Sequence, residues 1–202
     1  MKAEGRIALT GGIATGKSYV RTRLEALGVP TIDADRLAHA AIAPGTPGLA
    51  AVVARFGSGV LEADQQVNRA ALGAIVFADA GARHDLEAII HPVVRRAIDG
   101  WYASLPPDTP FAVAEIPLLY ENGRDREFAA VIVAACDPGR QVERLMARAG
   151  LDEAAARQRI AAQWPIEEKV RRAAYVVKTD GSYADTEAQI IAVHAALLAH
   201  FA

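Results

Sequence analysis

Residues 11–18 read Gly-Gly-Ile-Ala-Thr-Gly-Lys-Ser and have the spacing G-x-x-x-x-G-K-[ST]. The apolar run Ile7-Ala8-Leu9 precedes them, and apolar residues follow at helical spacing at Val20, Leu24 and Leu27. A strand–loop–helix unit of this kind turns backbone N–H groups inward around a phosphate chain, and the helix N-terminus adds unpaired donors. The alternative is a glycine-rich turn that only joins a strand to a helix. The full pattern favours a site for a nucleoside triphosphate.

The residue types within the loop predict separate roles. Lys17 can reach the β- and γ-phosphates, and Ser18 can offer its hydroxyl to Mg²⁺. We expect the whole loop to bind the phosphates, through Gly11, Gly12, Ile13, Ala14, Thr15, Gly16, Lys17 and Ser18.

A second candidate segment, the acidic Asp33-Ala34-Asp35, follows the short predicted strand Val29-Pro30-Thr31-Ile32. Strands that alternate with helices predict a parallel sheet, whose ligands gather at the carboxyl ends of the strands. Asp33 and Asp35 are therefore expected on the same edge as the phosphate loop. Taken alone, Asp35 would be read as the N-cap of a helix over residues 36–43. Beside a phosphate loop, we favour function over capping.

The predicted third strand, Phe111 to Glu115, is an apolar run that ends in an acid. This resembles the Walker-B arrangement and makes Glu115 a candidate to approach a metal ion through water. Leu118 and Tyr120 follow on the same edge and are expected to touch the acceptor, although Tyr120 could simply pack.

After a fourth strand, Ala129 to Ala135, a helix is predicted over residues 138–149. Arg140, Arg144 and Arg148 are spaced four apart and therefore share one face of it. Such a row usually marks a solvated face. In a phosphoryl-transfer protein it instead indicates a lid, here about residues 138–165, because arginine clamps the transferring phosphoryl group.

Residues between the second and third strands are predicted to be mostly helical and to form an insert over about 36–108. We expect Pro92 to kink or restart the long helix around His91, whose side chain could contact substrate or be structural. The fold class is therefore α/β, with a parallel sheet flanked by helices, a helical insert and a helical lid, all within one domain over residues 1–202.

Charge and composition argue against several classes of protein. The net charge of −2 does not suggest a broad nucleic-acid or membrane surface, and no apolar run approaches the ~20 residues of a membrane span. The single Cys136 precludes an internal disulfide, fits the cytoplasm, and is expected to be a core residue. Residues 1–6 contain no apolar stretch, so no signal peptide is expected.

No Asn-Lys-x-Asp guanine-reading string occurs, which argues against a G-protein. The length, the acids and the arginines fit a small-metabolite kinase. The ordered set of motifs then resembles the dephospho-coenzyme A kinase family over almost the whole chain. These motifs are residues 9–18, Ile32-Asp-Ala-Asp35, Pro44-Gly-Thr-Pro47, Phe56-Gly57, Asn68-Arg69, His91-Pro92, Pro117-Leu-Leu-Tyr-Glu121, Gln141-Val-Glu-Arg-Leu145, Arg148, Ala162-Gln163 and Ala174-Tyr-Val-Val177.

This resemblance implies transfer of the ATP γ-phosphate to the ribose 3′-hydroxyl of dephospho-CoA, with ATP and Mg²⁺ as cofactors. Asp35 would be the base and Asp33 would orient the acceptor or the hydrated Mg²⁺. Two arginines of the lid would have separate roles: Arg144 would be catalytic, and Arg148 would bind ATP. Arg69 and His91 would hold the acceptor. The protein is expected to act on small molecules as a cytoplasmic monomer.

Two alternatives differ in what they predict. Another P-loop small-metabolite or nucleotide kinase would turn over a different acceptor faster. A nucleotide-binding switch would bind ATP without an acceptor, but it would need neither a base nor an arginine clamp.

The chain departs from the family pattern at a few positions. Ala14 stands where the family often has glycine, so the backbone there must tolerate a Cβ. Glu115 replaces what is often aspartate. Near the last strand, Ala173-Ala174 and Lys178-Thr179 replace the usual Ala-Asp and Asp-Asn, in a region that neighbours the adenine.

Overall fold

The strands form one five-stranded sheet in the order β2-β3-β1-β4-β5, and each neighbouring pair is parallel. The structure is a computed structural model that describes residues 5–201. The expectation that residues 1–6 form no signal peptide therefore falls mostly outside the described residues. The strands are β1 (Arg6–Gly11), β2 (Thr31–Asp33), β3 (Ala112–Glu115), β4 (Ala130–Ala135) and β5 (Tyr175–Lys178). The predicted parallel α/β fold is confirmed.

Helices connect and flank these strands. They are α1 (Lys17–Ala26), α2 (Ala34–Ala41), α3 (Pro47–Phe56), α4 (Arg69–Ala78), α5 (Ala80–Ser104), α6 (Pro138–Ala149), α7 (Glu153–Ala161), α8 (Ile166–Arg172) and α9 (Tyr183–Phe201). Several begin at side-chain caps: Asp137 accepts the N–H of Gly139 before α6, and Asp152 accepts the N–H of Ala155 before α7. Gly150, in the left-handed conformation, ends α6.

Burial explains why the strands consist mostly of consecutive apolar residues. Every residue of β3 and β4 is buried, as expected for a parallel sheet covered on both faces. The main core joins β1, β4, α1 and α9 through residues such as Leu9, Ile132, Leu24 and Leu197. Cys136 is 4% exposed at the end of β4, which confirms the prediction that it is a core residue.

The chain divides into two compact units. One, the sheet unit, comprises residues 5–33 and 102–201 and holds the whole sheet. The other, the helical unit, is Ala34–Trp101. Its small core consists of Val52, Val60 and Leu72 with partly buried apolar neighbours from the same unit.

The helix bounds decide between alternatives that the sequence left open at Pro92 and Asp35. Helix α5 runs without interruption through Pro92, so the proline does not restart it. A proline removes one backbone hydrogen bond to the carbonyl four residues earlier, and the rest of a 25-residue helix continues around that loss. Helix α2 begins at Ala34, which places Asp35 inside its first turn and not at the N-cap.

Residues 5–201 include no helix that combines the length and the apolarity needed to cross a membrane.

Candidate active site

The phosphate loop lies between the end of β1 at Gly11 and the start of α1 at Lys17. A Cβ on Gly11 would lie 2.3 Å from the carbonyl oxygen of Ala134 on β4, so only glycine fits where the strand leaves the sheet. The loop then closes on Gly12, whose carbonyl accepts from Thr15 Oγ1 at 2.9 Å and from Lys17 Nζ at 2.8 Å. The sequence pattern thus forms the compact loop that it predicts.

Ala14 has a φ of 60°, in the left-handed region that disfavours residues with a Cβ. This is the position at which the family often has glycine. The backbone keeps the glycine-like conformation despite the methyl group, at a cost of about 1–2 kcal/mol.

A cavity of about 240 Å³ opens at this loop. It is lined by residues 14–19 together with Arg144 and Arg148. The structure therefore brings Lys17 and Ser18 together with the two arginines expected to act from the lid. Arg140 lies apart from them and forms an exposed pair with Glu143 at 3.1 Å, so one member of the arginine row belongs to a solvated face.

Arg144 is oriented by Thr179, which immediately follows β5. Its Nη1 and Nη2 donate to Thr179 Oγ1 at 3.0 Å and to the Thr179 carbonyl at 2.5 Å. Thr179 Oγ1 in turn donates to the Thr15 carbonyl at 2.9 Å. The threonine that departs from the family pattern therefore links the arginine to the phosphate loop, a role that no local sequence signal indicates.

A larger cavity of about 350 Å³ shares Gly16 and Arg144 with the first. Its outer wall includes Tyr19 and Tyr183, whose ring centroids lie 5.0 Å apart, and the loop residues Gly181 and Ser182. The two ring planes are tilted by 53°, and the cavity lies next to the phosphate loop.

Two acids meet at the carboxyl edge of the sheet. Asp33 on β2 is the register partner of Glu115 on β3. Glu115 is 5% exposed and accepts a hydrogen bond from Arg21 Nε at 2.8 Å. Burial, and secondly the charge of Asp33, raise the pKa of Glu115 above its ordinary value, while Arg21 and Lys17 oppose that shift.

These acids and Ser18 supply hard oxygen donors, the type that Mg²⁺ prefers. Within the described residues, no three His, Cys, Asp or Glu side chains group together as a complete metal site. A site with few protein ligands nevertheless fits Mg²⁺, which is commonly held by one or two carboxylates plus substrate phosphates and water.

Three of the predicted acceptor residues lie on helices of the helical unit. Asp35 is in the first turn of α2, two residues after Asp33 in the chain. Arg69 is the first residue of α4, behind the cap Asn68, and its side chain is exposed. His91 is exposed on α5, just before Pro92.

Leu118 and Tyr120 follow β3 in different environments. Leu118 is 37% exposed, whereas Tyr120 is 3% exposed and its ring stacks on Trp164 with centroids 6.2 Å apart. The Tyr120 hydroxyl has no hydrogen-bond partner in the described structure, and burial raises its pKa to about 12.

Sequence reasoning missed a buried cation behind the phosphate loop. Lys169 on α8 is completely buried and forms an ion pair with Glu121 Oε1 at 2.7 Å. Its Nζ also donates to the carbonyls of Gly11 at 3.2 Å and Pro117 at 3.4 Å. The same Glu121 oxygen accepts the N–H of Trp164 at 3.0 Å. Lys169 stands among the charged residues of the stretch 167–172, and no sequence pattern distinguishes it from them.

Comparison with known proteins agrees with this geometry. A family model described as dephospho-CoA kinase matches residues 6–185. The chain is 50% identical over 177 residues to the dephospho-CoA kinase of Anaeromyxobacter dehalogenans, covering 87% of this chain and 84% of that protein.

Two solved structures are similar over nearly their full lengths. TT1252 from Thermus thermophilus has a TM-score of 0.81 at 34% identity, with 95% of this chain and 97% of that chain covered. The dephospho-CoA kinase from Campylobacter jejuni has a TM-score of 0.73 at 29% identity, with 97% and 98% covered. The match to the family model, together with the 50% identity to the Anaeromyxobacter dehalogenans enzyme, shows that the chain belongs to the dephospho-CoA kinase family.

Proposed function

We propose that the phosphate loop, the strand-end acids and the arginines of this chain carry the reaction of its family. That reaction is the ATP-dependent phosphorylation of dephospho-CoA at the ribose 3′-hydroxyl, which gives coenzyme A. The observation that carries the proposal is the cavity of about 240 Å³ in which Lys17, Ser18, Arg144 and Arg148 meet.

We assign the ATP phosphates to the loop from Gly11 to Ser18. The first turn of α1 presents backbone N–H groups that have no acceptor within the helix, at the positive end of its dipole. Lys17 would bind the β- and γ-phosphates. Arg144 would stabilise the negative charge of the transferring group, and Arg148 would bind ATP beside it.

We assign the adenine to the larger cavity, where the Tyr19 and Tyr183 rings offer a surface for a flat base. Aromatic rings and bases attract one another by stacking. The Tyr19 hydroxyl donates to Glu187 Oε1 at 2.8 Å, which fixes that ring in place.

We assign Mg²⁺ to Ser18 and, through water, to Glu115. The ion would neutralise charge on the phosphate oxygens when bound. Glu115 is held for this role by Arg21, whose hydrogen bond orients the carboxylate at the end of β3.

We assign the acceptor to Asp33, Asp35, Arg69, His91 and Leu118, while the buried Tyr120 packs on Trp164. Asp35 would accept the proton of the 3′-hydroxyl as its oxygen attacks the γ-phosphorus and ADP leaves. Asp33 would orient the hydroxyl or the hydrated metal ion. Action as a cytoplasmic monomer stays a prediction.

The proposal is tested by an acceptor screen with purified protein, ATP and Mg²⁺. Dephospho-CoA, nucleoside monophosphates and a sugar are offered separately, and ADP formation and the phosphorylated product are measured. We expect coenzyme A as the main product and little turnover of the other acceptors. Faster turnover of a nucleoside monophosphate would overturn the proposal and favour the alternative of another small-molecule kinase.

A further inference from the structure

Two glutamine side chains hold the backbone of Ile13, the third residue of the phosphate loop. Gln163, just after α7, accepts the Ile13 N–H through Oε1 at 2.8 Å. Gln141, on α6, donates from Nε2 to the Ile13 carbonyl at 2.8 Å. Both polar groups of one loop residue are therefore satisfied by side chains that lie more than 120 positions away in the chain.

The chemistry of each partner fixes the orientation of each amide. A backbone N–H can only donate and a carbonyl can only accept, so Gln163 must present its oxygen and Gln141 its nitrogen. A glutamate at position 163 would keep the acceptor but add a negative charge beside a phosphate site. A glutamate at position 141 would remove the donor and repel the Ile13 carbonyl.

Packing around Ile13 supports the same arrangement. Gln141 is 3% exposed, and a Cβ on Gly12 would lie 2.4 Å from its Nε2, so the second glycine of the loop is the residue that lets this amide approach. The Ile13 side chain packs against the cluster of Val142, Leu145 and Ala156 on α6 and α7. Ile13 is thus restrained through its N–H, its carbonyl and its side chain.

We propose that Gln141 and Gln163 are positioning residues that hold the phosphate loop in its ATP-binding shape without touching ATP. The proposal rests on the assignment of ATP phosphates to the loop made above. Because Ile13 lies between Gly12, which accepts from Lys17, and the residues that line the cavity, a displaced Ile13 would change the positions of both. A preorganised loop binds its ligand more tightly because less ordering accompanies binding.

The arrangement also constrains the expected lid. Gln141 and Gln163 lie near the two ends of residues 138–165, and both are bonded to the loop. Any movement that keeps these bonds must occur between them, in the part that carries Arg148 and α7.

The test compares steady-state kinetics of Gln163→Leu, Gln163→Glu and Gln141→Leu. We expect Gln163→Leu to raise the KM for ATP about tenfold, as loss of the partner of a partly buried N–H predicts. The KM for dephospho-CoA should stay within twofold of wild type. Gln163→Glu should fold as stably as wild type, yet raise the KM for ATP by an amount that shrinks at high salt, because its added charge is screened.

Gln158 provides the matched control, since it is exposed on α7 and belongs to no proposed site. Gln158→Leu and Gln158→Glu should leave both KM values unchanged. Gln141 is buried and its variant can fail to fold, so the half-buried Gln163 decides the outcome.

Lys17→Met separates failure of this inference from failure of the proposed function. A wild-type KM for ATP in Gln163→Leu and Gln163→Glu, together with an impaired Lys17→Met, overturns the positioning role alone. Equal rises in both KM values, or a lower melting temperature with unchanged kinetics, also overturn it, because they indicate a merely structural role. An unimpaired Lys17→Met overturns the assignment of ATP to the loop.

Discussion

The sheet unit and the helical unit hold their functional side chains in different ways. In the sheet unit, buried polar groups from distant parts of the chain meet at the phosphate loop: Lys169 bonds to Gly11, and Thr179 joins Thr15 to Arg144. In the helical unit, Arg69 and His91 are exposed on helices packed around a small core. The groups at the phosphate loop are thus joined by non-local hydrogen bonds, whereas Arg69 and His91 lie at exposed positions on helices.

This difference suggests a division of labour. Phosphate binding is common to many kinases and gains from a rigid, preorganised loop. Recognition of one acceptor can be carried by exposed side chains on helices, which change at little cost to the core. Variants of Arg69 and His91 should therefore impair acceptor use, whereas variants of the phosphate loop and its buried partners should impair stability and ATP binding.

The largest effect is expected in the helical unit, from Asp35→Asn. The amide cannot accept the hydroxyl proton, so kcat should fall by about 10²–10⁴-fold. Binding of ATP, measured by calorimetry, should stay within twofold, because Asp35 has no assigned contact with it. A wild-type kcat would remove Asp35 from the role of base.

In the sheet unit, Lys169→Met should lower the free energy of unfolding by about 3 kcal/mol, measured by urea denaturation. The change leaves Glu121 as an uncompensated charge in a largely buried position. Lys178→Met, at an exposed lysine on β5, is the control and should change stability little. The double variant Lys169→Met/Glu121→Gln should recover part of the loss; no recovery would show that the ion pair is not the cause.

Arg69→Met and Arg144→Met test the contrast directly. Loss of a charged hydrogen bond should raise the KM for dephospho-CoA about tenfold in Arg69→Met and leave the KM for ATP unchanged. Arg144→Met should instead lower kcat and weaken ATP binding. Arg55→Met, which removes an exposed pair with Asp85 in the helical unit, is the control for Arg69. If both arginine variants impair the same substrate, the division of labour is wrong.

The smallest effect is expected from Tyr120→Phe. Its hydroxyl is buried without a hydrogen-bond partner in the described structure, and burial raises its pKa to about 12, so the phenol stays neutral at working pH. Stability should change by less than about 0.5 kcal/mol, and the KM for dephospho-CoA by less than twofold. A fivefold rise in that KM would place the hydroxyl on the acceptor.

Contiguous patterns were predictable from the sequence, and distant contacts were not. The loop from Gly11 to Ser18, the parallel sheet and the capped helix α6 each depend on neighbouring residues, so local spacing predicted them. Gln163 reaches Ile13 across 150 positions and Lys169 reaches Gly11 across 158, and no periodicity reports such pairs.

Pro92 shows the opposite case. The local rule predicted a kink or a restart, and the structure shows one helix that continues through the proline without a restart. The placement of Arg144 beside the loop was predicted from its chemistry, but the threonine that orients it was found only in the structure.

The strand order has a consequence for the newly made chain. β1 lies at the centre of the sheet, and its register partners begin at Ala112 on β3 and Ala130 on β4, while β2 also pairs with β3. During synthesis at about 5–20 residues per second, the apolar strand that leads into the phosphate loop waits on the order of 5–20 s for its first neighbour. Residues 34–101, the whole helical unit, have been synthesised by then, so this unit leaves the ribosome before the partners of β1 in the sheet unit exist. An exposed apolar strand is prone to aggregation during such a wait, which makes this interval the time at which chaperones would matter most.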